Sequence, residues 1–224
     1  MSFPDFNASD AHIQWQRFCD LGWYHDDLGV WLDISRMHVN AADLQALQPR
    51  MDKAFAAMQE LEAGAIANPD EQRQVGHYWL RTPELAPSSE LQHHISREID
   101  LIAAFGRDVI NGTIKAPNGE TFTDVLWIGI GGSGLGPALM IKALQNPGEG
   151  LPFHFFDNVD PDGMSNVLPG LKGRLDRTLV VTVSKSGGTP EPHLGLEQAS
   201  HGLEAAGGQW AAQAVAVAVL GSKR

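Results

Sequence analysis

Two glycine-rich turns contain the residues best suited to bind a ligand. The first is Gly129–Pro137 (GIGGSGLGP) and the second is Ser184–Glu191 (SKSGGTPE), and each lies between an apolar run and a predicted helix. Glycines in such a turn let several backbone N–H groups approach an anion at the positive end of the helix dipole. Both turns are therefore candidate phosphate-binding loops, although plain strand-to-helix connections would use glycines too.

The first turn, taken alone, also fits a dinucleotide. Gly129, Gly131 and Gly134 satisfy the G-x-G-x-x-G spacing of dinucleotide-binding folds. Such a site needs an acidic residue after the second strand to hold a ribose, and Asp157 stands at that place. An NAD-dependent dehydrogenase domain is thus one interpretation of this turn.

The second turn favours a phosphorylated sugar. Three hydroxyl side chains, a lysine and two glycines occupy consecutive positions: Ser184, Lys185, Ser186, Gly187, Gly188 and Thr189. Hydroxyl and exposed N–H groups donate hydrogen bonds to phosphate oxygens, and a lysine adds positive charge. A dinucleotide fold needs no second cradle of this kind, whereas a monophosphate pocket between neighbouring strand ends does.

Four apolar runs in the second half predict buried parallel strands: Val125–Ile130, Phe153–Phe156, Leu179–Val183 and Val215–Leu220. Continuous apolar runs suit strands that are covered on both faces. Leu135–Gln145 and Glu191–Ala206 predict crossover helices between them. This alternation predicts a doubly wound α/β domain over residues 111–224, whose ligands would bind at the carboxyl ends of the strands.

Residues 1–110 predict a helical segment before that domain. One helix is expected to begin at Gln48-Pro49 and to end at Gly64. Its apolar residues recur at helical spacing at Met51, Phe55, Met58 and Leu61. Before Asn40, the spaced tryptophans Trp15, Trp23 and Trp31 suggest a loop-rich cover over a core.

A second helix is expected to begin at Ser88 or Ser89, with Gln92 in a capping-box position, and to end at Gly112. A shorter helix is predicted over Val75–Arg81, between two prolines.

Composition excludes several classes of partner. The chain has 224 residues with 16 Lys+Arg against 27 Asp+Glu, a formal net charge of −11. This argues against nucleic-acid and anionic-membrane partners. Cys19 is the single cysteine, so neither an intrachain disulfide nor a multi-Cys zinc site is expected. The histidines at 12, 25, 38, 93 and 94 show no metal-ligand spacing, and no metal is expected. No apolar run reaches membrane-span length, and a cytoplasmic location is expected.

Three segments together resemble the first sugar-isomerase (SIS) domain of the glucose-6-phosphate isomerase family: Ile128–Pro137 (IGIGGSGLGP), Phe156–Gly163 (FDNVDPDG) and Val183–Glu191. Gly76–Arg81 (GHYWLR) resembles a stretch of its bacterial and cyanobacterial members. The resemblance covers most of residues 70–224 and implies a three-layer αβα sandwich of flavodoxin-like type around a parallel sheet. The run Ser186–Gly188 departs from the Thr-Phe-Thr-like run of many members and looks like other SIS domains.

By position, the resemblance implies that Gly132 and Ser133 line the sugar-phosphate site and that Ser184–Thr189 cradle the phosphate. It also implies that Glu191 supports an acid/base histidine. Asp157 then becomes a loop or packing residue, and no cofactor is needed.

The family's glutamate base, enediolate-stabilising arginine, ring-opening histidine and a further lysine come from its C-terminal half, and its sites are completed across a homodimer. The corresponding segments are not in this sequence. The chain is therefore expected to be an N-terminal fragment of an aldose–ketose isomerase that binds hexose 6-phosphate without isomerising it. A non-catalytic phosphosugar-binding SIS module and a dehydrogenase domain stay open as alternatives.

Overall fold

A computed structural model describes residues 3–219 of the chain. Two compact units divide within one helix, between Arg97 and Glu98. The first unit contains helices and two short antiparallel hairpins. Its elements are α1 (Ala11–Leu21), β1 (Gly22–His25), β2 (Val30–Asp33), α2 (Ala41–Glu62), β3 (Ile66–Asn68), β4 (Arg73–Gln74) and the first turns of α3 (Ser89–Ile110).

Arg17 of α1 holds the start of the first unit together. Its side chain is almost fully buried, and its guanidinium packs over the Phe6 ring with the carbon 5.4 Å from the centroid. The guanidinium donates hydrogen bonds of 2.7–3.0 Å to four backbone carbonyls: those of Pro4, Ser35, Met37 and Val39. Burying a charge is tolerated here because carbonyl oxygens replace its water.

The segment before Asn40 differs from the prediction. It forms α1 and the β1–β2 hairpin rather than loops, and Trp15, Trp23 and Trp31 are each more than half exposed. The expected loop-rich cover over a core is therefore wrong for this unit.

Helix α2 begins earlier than predicted. Asn40 and Asp43 form a capping box, in which the Asp43 N–H donates to Asn40 Oδ1 at 3.0 Å and the Asn40 N–H donates to Asp43 Oδ2 at 2.8 Å. The predicted start at Gln48-Pro49 is wrong because this cap begins the helix at Ala41, and Pro49 lies inside it. The predicted end near Gly64 is confirmed, since α2 ends at Glu62.

The predicted helix over Val75–Arg81 is also wrong. The chain forms successive turns there, with the Trp79 N–H donating to the Gly76 carbonyl at 3.1 Å. The buried Trp79 ring lies so close to Gly76 that a Cβ at Gly76 would meet Trp79 Cε3 at 2.3 Å. Packing of the indole against the backbone, rather than helical propensity, decides this segment.

Helix α3 confirms its predicted bounds. The Leu91 N–H donates to Ser88 Oγ at 3.2 Å at its start, and Gly112 follows its end with a φ of +71°. Ile95 belongs to a core with Trp79 and Ala86, whereas Val109 belongs to a core with Val125. The two compact units therefore divide inside α3, and not between residues 110 and 111.

The second unit is a parallel α/β layer. Its elements after α3 are β5 (Asp124–Ile128), α4 (Gly132–Leu144), β6 (Phe153–Phe156), α5 (Pro161–Gly170), β7 (Thr178–Val183), α6 (Pro190–Ala205), α7 (Trp210–Gln213) and β8 (Ala214–Val217). The strand order is β6-β5-β7-β8, with every pair parallel. All four predicted strands and both crossover helices are confirmed; Leu220, predicted to end the last strand, lies outside the described residues.

Apolar residues of the central strands alternate between two cores. Leu126 and Val180 pack in one cluster with residues of α5 and α6, while Val125 and Val181 pack in another with Val109 of α3. The sheet is thus covered on both faces, as the continuous apolar runs predict. Within residues 3–219, none of the helices combines the length and hydropathy that a membrane span needs.

Candidate functional site

The two glycine-rich turns lie at the same end of the sheet, the end formed by the carboxyl termini of its strands. Strands β5 and β7 are parallel neighbours, and their last paired residues are Ile128 and Thr182. The first turn follows Ile128 directly, and the second follows the end of β7 at Val183. Both turns therefore lie at carboxyl ends of adjacent strands, where open α/β sheets bind their ligands.

The first turn is shaped by close backbone contacts that only glycine permits. Gly131 precedes α4 with a φ of +55°, a conformation that side chains disfavour. A Cβ at Gly134 would meet the Gly129 carbonyl oxygen at 2.3 Å. Trp127 of β5 then fixes the helix start, since its indole N–H donates to the Ser133 carbonyl at 2.7 Å. The predicted site residues Gly132 and Ser133 form the first turn of α4.

The second turn is held by its own serines. The Gly187 N–H donates to Ser184 Oγ at 3.2 Å, and the Gly188 N–H donates to Ser186 Oγ at 3.2 Å. Gly187 has a φ of +66°, and Thr189 precedes the first residue of α6. Each serine hydroxyl accepts a bond within the turn and keeps its O–H hydrogen for another acceptor. This arrangement suits a loop that donates to an anion.

The end of β8 and Val219, which follows this strand, hold the second turn by main-chain bonds. The Ser184 N–H donates to the Val217 carbonyl at 3.0 Å, and the Val219 N–H donates to the Lys185 carbonyl at 3.3 Å. The main chain of the turn is thus tied to the strand beside it.

Glu191 joins the two turns. It lies in the first turn of α6, which packs so closely on β5 that a Cβ at Gly195 would meet Ile128 Cγ2 at 2.9 Å. Glu191 and Gly129 line one narrow, shallow crevice. The carboxylate that ends the second turn is thereby placed beside the first turn.

Two residues after β6 line the same crevice, namely Asp157 and Asn158. The sequence predicts Asp157 to be a ribose ligand in a dinucleotide site, or else a loop or packing residue. The signal for its position is that it directly follows Phe156, which pairs with Ile128 of β5. The carboxyl ends of β5, β6 and β7 therefore contribute residues to one end of the sheet.

A second polar cluster lies away from this edge. Asp124 begins β5, is 1% exposed, and accepts two hydrogen bonds from Arg174, at 2.8 and 3.2 Å. It also accepts from His154 Nε2 at 2.9 Å and from the Thr123 hydroxyl at 2.8 Å. Burial raises the pKa of Asp124, but these bonds outweigh burial and hold that pKa below its ordinary value.

This His–Asp pair resembles a catalytic dyad in composition only. It lies where β5 begins, whereas the glycine-rich turns lie where the strands end. Its geometry fits a structural role, with Arg174 anchored to the first residue of the central strand. The interpretation of His154 as a core or lining residue agrees with this contact. Among residues 3–219, no group of three or more His, Cys, Asp or Glu side chains could hold a metal ion.

Comparison with known proteins gives one consistent result. The family model for phosphoglucose isomerase matches residues 33–222. A glucose-6-phosphate isomerase of Synechococcus sp. (strain CC9605) is 92% identical over 223 residues, covering 100% of this chain and 42% of that protein. One from Prochlorococcus marinus (strain MIT 9313) is 72% identical and is covered over 40% of its length.

A solved structure agrees with these sequence matches. The crystal structure of a glucose-6-phosphate isomerase from Chlamydia trachomatis D/UW-3/Cx matches with a TM-score of 0.78 and 28% identity. The match covers 98% of this chain and 43% of that chain. This chain therefore spans about two fifths of the length of the relatives that it matches.

Proposed function

The chain belongs to the phosphoglucose isomerase family, and we propose that it forms the sugar-phosphate-binding part of a glucose-6-phosphate isomerase. The observation that carries this proposal is the shared edge of the two glycine-rich turns, which leave adjacent parallel strands with Glu191 and Gly129 on one crevice. The proposed substrate is a hexose 6-phosphate.

Each turn has a distinct role in the proposed site. The backbone at the start of α4, at Gly132 and Ser133, faces the sugar phosphate with the positive end of a helix dipole. The hydroxyls of Ser184, Ser186 and Thr189 and the ammonium of Lys185 bind the phosphate oxygens, together with the amides of the Gly187–Gly188 pair. Phosphate contacts of this kind fix the position of the sugar carbons relative to the protein.

Isomerisation needs more than an anchor. An acid/base group opens the sugar ring, a carboxylate moves a proton between C2 and C1, and a cation stabilises the enediolate between them. Glu191 takes a supporting role, orienting an acid/base histidine. The carboxylate base and the cation come from parts of the family's polypeptide outside these residues, so this chain alone binds phosphosugar weakly and does not turn it over.

Calorimetric titration of the 224-residue chain tests the proposal. The expected result is saturable, weak binding of 6-phosphogluconate and no binding of NAD, with no fructose 6-phosphate formed from glucose 6-phosphate. Saturable binding of NAD alone would favour the dehydrogenase domain that Gly129, Gly131, Gly134 and Asp157 also allow. Robust isomerisation by this chain would refute the proposal that the carboxylate base and the cation come from outside these residues.

A non-catalytic phosphosugar-binding SIS module is the second candidate. It predicts tight phosphosugar binding by this chain without any need for further residues. A cytoplasmic location, a homodimeric full-length protein and the absence of nucleic-acid or membrane partners complete the proposal. The exposed, unpaired Cys19 suits a reducing compartment, and cell fractionation with sedimentation of the full-length relative checks these points.

A further inference from the structure

A cavity of about 170 Å³ lies within the first unit. It is lined by residues 3–6, by residues 38–40 and by Arg17 of α1. One water takes up about 30 Å³ of liquid volume, so this space admits several waters or one small organic molecule. The cavity is therefore large enough to bind a ligand, and the chemistry of its lining determines the class of that ligand.

Arg17 brings to this cavity a positive charge that no ion pair balances. The residue is 1% exposed, and none of the carboxylates within residues 3–219 forms an ion pair with it. Its four hydrogen bonds all go to backbone carbonyl oxygens, which carry no net charge. Buried charges in proteins are normally paired with a charge of the opposite sign. The cavity therefore favours an anion.

One N–H group of Arg17 also has no partner in the part of the chain that the structure describes. A guanidinium has five N–H groups. The single N–H of Nε donates to the Ser35 carbonyl, and the two of Nη2 donate to the carbonyls of Met37 and Val39. Of the two on Nη1, one donates to the Pro4 carbonyl at 3.0 Å. A buried donor without an acceptor costs free energy, and a ligand oxygen in the cavity would supply that acceptor.

The other walls of the cavity are largely apolar. Phe3, Phe6 and Val39 all line it. The Phe6 ring has its centroid 5.4 Å from the Arg17 guanidinium carbon and 4.9 Å from the centroid of the His38 ring. Apolar walls around one cationic donor suit a ligand with an apolar body and a single anionic head.

We infer that this cavity binds a small aliphatic carboxylate. One carboxylate oxygen accepts a hydrogen bond from the remaining Nη1–H of Arg17, and the aliphatic chain packs against Phe3, Phe6 and Val39. This site uses residues of the first unit alone and does not depend on the glycine-rich turns.

Asp5 also lines the cavity, and its charge opposes an anion there. Its side chain is exposed, and its Oδ1 accepts a hydrogen bond from the Asn7 N–H at 3.0 Å. Asp5→Asn keeps an oxygen for this bond and removes the charge, so it should tighten carboxylate binding by about twofold or more. Asp27→Asn removes the same charge from the exposed turn between β1 and β2 and is the matched control.

An NMR titration of the 224-residue chain with sodium butyrate, at neutral pH and constant ionic strength, tests this site. Butyramide is the neutral probe of the same size and shape. The expected result is a saturable shift of the backbone amides of residues 5, 6 and 38–40, with a Kd on the order of 1 mM. Butyramide should bind at least about tenfold more weakly, because it lacks the charge that Arg17 attracts.

Three results would overturn the inference. The first is the absence of a saturable shift at residues 38–40, including the case in which butyrate shifts only the amides of Ser184–Thr189. The second is equal binding of butyramide and butyrate, which would show that the cavity does not select an anion. The third is an affinity for butyrate that Asp5→Asn changes no more than Asp27→Asn does. None of these measurements requires a substitution of Arg17, whose four carbonyl contacts hold the segment together.

Discussion

Ser184 and Ser186 act as hydrogen-bond acceptors for the turn that contains them. Because their oxygens already bind the Gly187 and Gly188 N–H groups, the turn keeps its shape through its own side chains. A phosphate oxygen would receive the serine O–H groups without first reorganising the backbone. Lower reorganisation on binding improves affinity.

Replacing charge and hydroxyl in this turn should weaken phosphosugar binding. We expect Lys185→Ala and Ser184→Ala each to lower the affinity for 6-phosphogluconate by about 1–3 kcal/mol, the scale of a charge-assisted hydrogen bond. Calorimetry of the 224-residue chain measures this. Lys172→Ala, on the turn after α5, removes the same charge elsewhere and should have no effect; unchanged affinity in Lys185→Ala would remove the second turn from the site.

Asp124 carries a prediction about stability and pH. Its pKa lies below the ordinary value of 3.8 in the folded chain, so its carboxylate stabilises the fold above that value and loses this effect as pH falls through the lower folded pKa. We expect Asp124→Asn to lower the free energy of unfolding by about 1–3 kcal/mol at neutral pH, a range reduced because the Arg174 side chain is partly exposed.

Denaturant unfolding at neutral and acidic pH checks this expectation. The difference between Asp124→Asn and the unchanged chain should shrink steadily on acidification below the ordinary carboxyl range. Asp176→Asn is the control, because its carboxylate accepts one exposed bond from Asn118. A pH-independent difference would mean that packing, and not the charge on Asp124, stabilises the strand.

At the scale of elements, the turn between β5 and α4 depends on glycines, which have no Cβ. A Cβ at Gly134 would meet the Gly129 carbonyl oxygen at 2.3 Å, whereas one at Gly136 would meet nothing within 4 Å. We expect Gly134→Ala to destabilise the chain by about 1–3 kcal/mol through forced backbone movement. Gly136→Ala should destabilise the chain less, because its Cβ meets no neighbouring atom, although Pro137 after it disfavours a helical alanine. Thermal unfolding of both variants decides the point, and equal stabilities would contradict it.

Helix α2 contains a proline that interrupts its hydrogen bonds. We expect Pro49→Ala to strengthen α2 by about 1–3 kcal/mol, because an N–H is restored in the helix interior. The measurement is hydrogen-exchange protection of the Ala41–Glu62 amides. Lys53→Ala, on the same helix, restores no backbone bond and serves as the control. Lower protection in Pro49→Ala would show that the proline ring itself makes a stabilising contact.

Pro49 also explains where sequence reasoning failed. Proline is common in the first turn of a helix, so the pattern placed the start of α2 there. The true start depends on Asn40 and Asp43 bonding to each other's backbone, and Asn-x-x-Asp differs from the usual Ser/Thr-x-x-Glu pattern. The turns around Trp79 were missed because contact between an indole ring and a glycine backbone leaves no periodic signal.

The parallel strands were predictable for a physical reason. Residues of β5 and β7 are covered on both faces, so these strands are apolar at all positions except Asp124, Thr178 and Thr182 and follow no helical period. The glycine-rich turns were predictable because backbone segments that approach each other closely leave no room for a Cβ, so glycine is required there. The placement of Glu191 and Asp157 on one crevice was not predictable, since it depends on which strands are neighbours.

At the scale of the whole chain, the buried cores lie within separate units. Trp79, Ala86 and Ile95 form one cluster in the first unit, while Leu126 belongs to a cluster in the second. We expect Leu126→Ala to destabilise by about 2–4 kcal/mol and to increase hydrogen exchange in β5 and β7. Ile95→Ala should instead increase exchange around Trp79. Identical exchange maps for the two variants would contradict this assignment of the cores.

The contacts of Arg17 determine which substitutions the first unit tolerates. Its four hydrogen-bond partners are main-chain carbonyls, so these bonds depend on the path of the chain, whereas its packing over the Phe6 ring depends on a side chain. Pro4, Met37 and Val39 can change as long as that path persists. Lysine, with its donors on one nitrogen, cannot span the same acceptors. A mutational scan should therefore find one intolerant position surrounded by permissive ones.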